Sequence, residues 1–199
     1  MNRRAFLAGI SGVVPITTGC LQQVSEPGQP PADHNREFEV SDIQKPNGDI
    51  ITDISVNVSS GTTANHPTIL KIIFSNIDDV EHTFETGFPA PIRPQIAVSD
   101  DGSILILVSK NETDMTDIIP QSPIDGCWEA KRSDFEVWDK RGGTRLPPGE
   151  NIEREYVLLA DPESESCFSP GEYEFSGTYW IDPATDGSKR NWDFTIRVK

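Results

Sequence analysis

The chain has 199 residues, 17 basic against 32 acidic, a formal net charge of −15 and a hydrophobic content of 35%. That length suits one domain with a tail and argues against a long repeat array or a two-domain cofactor enzyme. The acidic balance argues against nucleic-acid binding, because phosphate recognition needs a basic face.

The first twenty residues differ from everything after them. Asn2, Arg3 and Arg4 make a short basic start, Ala5 to Thr18 carries no charge, and Gly19-Cys20 closes the run. A basic n-region, a brief apolar h-region and a small residue before a cleavage point describe a removable signal peptide over residues 1–19. The apolar run falls short of the roughly 20 residues needed to span a bilayer. Arg3-Arg4-Ala5-Phe6-Leu7 resembles the core of a twin-arginine export signal. Thr17-Thr18-Gly19-Cys20 resembles a lipobox, with Thr17 where leucine is usual. The resemblance implies that Cys20 is lipidated, becomes the mature N-terminus and anchors the protein to the outer face of the cell membrane. Removing residues 1–19 takes away two arginines and no acid, which moves the net charge from −15 to −17. Acids are spread along the whole chain and Lys is scarcer than Arg. With the two signals, this resembles the lipoproteins of halophilic archaea, where concentrated salt screens self-repulsion. An ordinary acidic secreted protein is the alternative.

Residues 20–35 contain Pro27, Gly28, Pro30 and Pro31 with almost nothing apolar to bury, and read as a flexible tether. From residue 36 to 199 the chain reads as β. Alternation is plain in Ile50, Thr52, Ile54, Val56, Val58; in Leu70, Ile72, Phe74; in Val80, His82, Phe84; and in Ile104, Ile106, Val108. It returns in Tyr173, Phe175, Gly177, Tyr179, Ile181 and in Trp192, Phe194, Ile196, Val198. Turn signals such as Pro46-Asn47-Gly48, Asp100-Asp101-Gly102 and Pro147-Pro148-Gly149 separate the runs. Short strands with one apolar face predict an all-β antiparallel sandwich. Alternation fades over residues 110–145, which are expected to form a long insertion over one end or face.

Pro67 to Ile77 followed by Val80 to Glu85 resembles the second and third strands of immunoglobulin-like domains. Ile152 to Leu159, entered from a Pro-Gly turn, resembles a late strand of that fold. Pro170-Gly171-Glu172-Tyr173 resembles the corner before the next strand, where a tyrosine hydroxyl bonds back to backbone. Cys167 precedes this tyrosine, whereas the antibody pattern places its cysteine after it.

With Cys20 taken by lipid, Cys127 and Cys167 remain as an even pair, expected to form a disulfide outside the cell. Two reduced thiols are the alternative. His34, His66 and His82 all precede Cys167 and the last methionine is Met115, which argues against a blue-copper site. Asp182, Asp186 and Asp193 could meet near the last hairpin, yet their spacing matches no calcium loop. No metal and no cofactor are expected. There is no Gly-x-Ser-x-Gly, His-Glu-x-x-His or phosphate loop, and hence no expected catalytic residue. Asn57-Val58-Ser59 and Asn111-Glu112-Thr113 fit the glycosylation sequon.

On the strand from Tyr173 to Ile181, Trp180 falls on the polar, outward side with Glu174, Ser176 and Thr178. It is the candidate contact for a partner, with Trp128 and Trp138 as further candidates. The competing expectation is that the 110–145 insertion covers Trp180 through Trp128 or Trp138. The expected role is a non-catalytic binding or accessory module at the cell surface, recognising a protein or a glycan. A surface hydrolase with its site built by the insertion, and a structural spacer, are the rivals.

Overall fold

The computed structural model describes residues 36–88, 90–111, 117–134, 141–181 and 188–199. The signal, Cys20 and the tether lie outside them. Ten strands follow in chain order: β1 (Phe38–Gln44), β2 (Thr52–Ser60), β3 (Thr68–Asn76), β4 (His82–Gly87), β5 (Gln95–Val98), β6 (Ile104–Ser109), β7 (Arg141–Leu146), β8 (Asn151–Ala160), β9 (Gly171–Ile181) and β10 (Lys189–Val198). They form two five-stranded antiparallel sheets, β1-β10-β9-β4-β7 and β2-β3-β8-β6-β5. The expected all-β, two-sheet architecture is therefore present.

Where alternation is strong, strand and face follow from it. On β9 the odd positions Tyr173, Phe175, Tyr179 and Ile181 are buried, and on β10 the even positions Trp192, Phe194, Ile196 and Val198 are buried. Aromatic rings tie the sheets together. Phe74 of β3 meets Phe84 of β4 edge-on at 5.1 Å and Tyr179 of β9 at 4.9 Å between ring centres. Such pairs contribute about 0.5–1.5 kcal/mol beyond their burial. A polar bridge lies beside them. The Tyr179 hydroxyl donates to Asp49, which also accepts from Thr52 Oγ1 at 2.6 Å and from the Ile51 amide at 2.8 Å. Burial alone would raise the Asp49 pKa, but the hydrogen bonds from Thr52, Tyr179 and the local amides outweigh it and leave it lowered. Burial, then the bond to Asp49, pushes the Tyr179 hydroxyl up.

The structure departs from expectation at particular places. Ile50 and Val80 stand outside their strands and are exposed, since Asp49 captures the amides at the entry to β2 and Asn76 binds the Val80 carbonyl in the turn before β4. The segment expected as an insertion over residues 110–145 ends early, because Arg141–Leu146 is β7 and pairs with β4 from Gly87↔Arg141 to His82↔Leu146. β7 is an edge strand that buries only Leu146, so its sequence needs no apolar alternation.

The rest of that segment covers one outer face. On β3, β6 and β8, Ile69, Ile106, Val108, Val157 and Leu159 point away from the opposite sheet, yet all five are buried. Their cover comes from residues 117–134, which bring Ile118, Cys127, Trp128 and Ala130 into the same apolar cluster. It is pinned to the end of β8, where the Ala160 amide donates to the Trp128 carbonyl and the Ala130 amide donates to the Ala160 carbonyl, both at 2.9 Å. Cys127 and Cys167 add a second pin, standing at disulfide distance with their sulfurs 2.06 Å apart.

Candidate functional site

The other outer face, on the β9 sheet, has no described segment lying across Trp180. Alternation on β9 turns Ser176, Thr178 and Trp180 outward, and Trp180 is half-buried. Its cross-strand neighbours are Glu85 on β4 and Lys189 on β10. Beyond β4, the first residue of β7 completes the arrangement. The Arg141 guanidinium lies over the indole, 3.9 Å from the ring centre, with the Lys189 ammonium 5.9 Å away. A guanidinium stacked on an aromatic face keeps its charge and its planar fork in a fixed place.

The opposite wall comes from the chain leading into β5. There Ile92, Arg93 and Gln95 approach β9. β4 has already ended at this level, which leaves the backbone of Ser176 without a strand partner on that side. The Gln95 side chain fills the gap: its Nε2 donates to the Ser176 carbonyl at 2.6 Å and its Oε1 accepts from the Ser176 amide at 3.1 Å. Between the walls is a groove of about 320 Å³ with Gly177 at its base. A methyl group on Gly177 would sit 2.2 Å from Trp192 Nε1, so the buried indole of β10 requires glycine there.

The groove is electrostatically unlike the rest of the molecule. Among the described residues its lining includes Arg93, Arg141 and Lys189 and no carboxylate, in a chain with 17 basic and 32 acidic residues. Among the described residues, neither Arg141 nor Lys189 makes an ion pair, although surface pairs such as Lys71–Glu153 and Arg197–Glu172 form elsewhere.

The other sequence-predicted positions are dispersed. Trp128 is not a surface residue: it is 2% exposed, and its indole N–H donates to the Thr63 carbonyl at 2.7 Å. It packs with the segment over the β3-β8-β6 sheet, opposite the side that carries Trp180, so it neither covers Trp180 nor offers a contact. Trp138 lies outside the described residues, as do Arg3, Arg4 and Cys20. Asn57 and Asn111 are exposed, Asn57 on the outward side of β2. Glu129 is the one carboxyl among the described residues that is shifted upward, by burial and then by the negative charge of Asp125. Its backbone bridges Ala160, which gives it a place in the fold. Among the described residues no three His, Cys, Asp or Glu side chains gather as metal ligands. Of the calcium candidates, only Asp193 falls within the described residues.

Compared with known protein families, curated proteins and solved structures, the chain matches none. The groove therefore has to be read from its own chemistry. Sequence reasoning found Trp180 through its parity and missed Arg93, Arg141, Lys189 and Gln95. Their only sequence signal is that isolated bases stand out in an acidic chain.

Proposed function

We propose that this protein is a lipid-anchored cell-surface module that carries one immunoglobulin-like sandwich on a short tether and binds a ligand without transforming it. The groove around Trp180 is the observation that carries this reading: an aromatic side chain on a wet face, with positive charge gathered beside it in a negative molecule. Aromatic and arginine side chains are enriched among the residues that dominate binding energy. The immunoglobulin-like part is supported by strand order. Taken in sequence, β2, β3, β4, β6, β8, β9 and β10 occupy the places of the seven strands of that fold, as β2-β3-β8-β6 against β10-β9-β4. The Tyr173 hydroxyl donates to the Ser169 carbonyl at 2.8 Å, which fits the tyrosine corner. β1 and β7 extend the second sheet at its edges.

Export and anchoring rest on residues 1–20. Cys20→Ser should release the protein from membranes into the medium, and full retention would defeat the lipid anchor. Binding is tested with purified protein and isolated cell envelopes. The wild type should bind saturably, and Trp180→Ala should lose that binding at an unchanged melting temperature. Equal binding by both proteins would remove the groove from the function.

A further inference from the structure

Resting on that binding reading, we infer that the Trp180 groove accepts a carboxylated sugar ring, a hexuronate unit, with Arg141 and Lys189 taking the carboxylate. The long-range field of a chain with net charge −15 repels anions. An anionic ligand therefore needs a local reversal of sign, and Arg141 and Lys189 supply it in a groove whose described lining residues include no acid. Arg141 is held over the indole, and a fixed guanidinium suits the planar, two-oxygen geometry of a carboxylate. Lys189, on the strand beside Trp180, adds a second charge on the same side.

The remainder of the groove selects what carries the carboxylate. With one indole face occupied by Arg141 at 3.9 Å, a flat aromatic ligand loses its stacking surface there. Ser176 and Thr178 add side-chain hydroxyls to the lining, which suits a hydroxyl-rich ligand. A volume near 320 Å³ is at the small end of ligand sites, about 300–1,000 Å³, and suits a single ring. Glu85, cross-strand from Trp180, lies toward Gly143 and makes no ion pair with Arg141 or Lys189 among the described residues.

The experiment follows the Trp180 indole N–H by NMR during titration with D-glucuronate, D-glucose, acetate and sulfate at low salt. Glucuronate should shift it saturably, Arg141→Ala and Lys189→Ala should each weaken binding about tenfold or more, and added salt should weaken it further. Both variants keep the core intact, and an unchanged melting temperature verifies that. Glucose binding as tightly as glucuronate would overturn the role of the carboxylate. Acetate or sulfate doing so would overturn the role of the sugar ring. Failure of all four ligands while envelopes are still bound through Trp180 overturns the hexuronate assignment alone. Loss of envelope binding by the wild type defeats the binding reading itself.

Discussion

The two outer faces of the sandwich began from the same sheet physics and ended differently. On the β3-β8-β6 side, Ile69, Ile106, Val108, Val157 and Leu159 would be wet in a bare sandwich, and a long segment pinned through Cys127 and Ala160 keeps them dry. On the β9 side the outward residues are polar apart from Trp180, and no described segment lies across them except the single guanidinium of Arg141. An apolar outer face demands a cover, whereas a polar face with one aromatic residue is free to meet a ligand.

The sharpest test of this contrast compares two tryptophans. Trp128→Ala should cost about 4–5 kcal/mol in denaturant unfolding, because it opens a large cavity and leaves the Thr63 carbonyl unpaired. Trp180→Ala should change stability by less than about 1 kcal/mol. Similar losses at both positions would erase the distinction between a covered and an open face. Reduction of the Cys127–Cys167 pair should follow at about 4 kcal/mol at most, from the entropy of a loop with sequence separation 40. The purified protein should resist alkylation at both cysteines until reduced, and immediate labelling would show that the cover holds without the bond. Gly177→Ala should cost about 2–3 kcal/mol by driving a methyl group into Trp192, and it should distort the groove from beneath. An unaltered melting temperature would mean that β9 and β10 yield more easily than their packing implies.

The smallest effect concerns the bridge between the sheets. Asp49 has a pKa below its ordinary value of 3.8 in the folded state, so its contribution is fully present above that value and is lost as pH falls through the folded pKa. Asp49→Asn should cost about 1–2 kcal/mol near neutral pH. It should also lose less stability than the wild type on acidification from about pH 4 to 2. Parallel acid profiles would show that Tyr179 and Thr52 hold the bridge without the charge.

What was legible in the sequence follows from how each residue is solvated. β9 and β10 could be read strand and face together, because each buries one side and wets the other in strict alternation. The corner at Tyr173 was legible from its Pro-Gly approach, and its hydroxyl does reach backbone. β1, β5 and β7 were not legible: unlike the edge strand β2, each buries a single residue, and β7 carries Arg141, Gly142, Gly143 and Arg145 where alternation would require apolar residues. Trp128 was misjudged because a tryptophan in a polar stretch looks exposed until the sheet it covers is known. The groove was half legible. Parity placed Trp180 outward, but its cations come from β7, from β10 and from the approach to β5, and only the register of the sheet brings them to one place.

Gln95 has a consequence for how the β9 sheet breathes. It offers Ser176 a peptide-like amide that belongs to a side chain, so the Ser176 N–H is hydrogen-bonded on that side without a neighbouring strand. A ladder partner leaves only when strands separate, but a glutamine leaves by rotating about its own bonds. Exchange of the Ser176 amide should therefore run on the clock of one side chain, faster than that of its strand and insensitive to the stability of the core. A ligand resting against Gln95 would slow that clock at a single amide and leave the rest of the sheet unchanged.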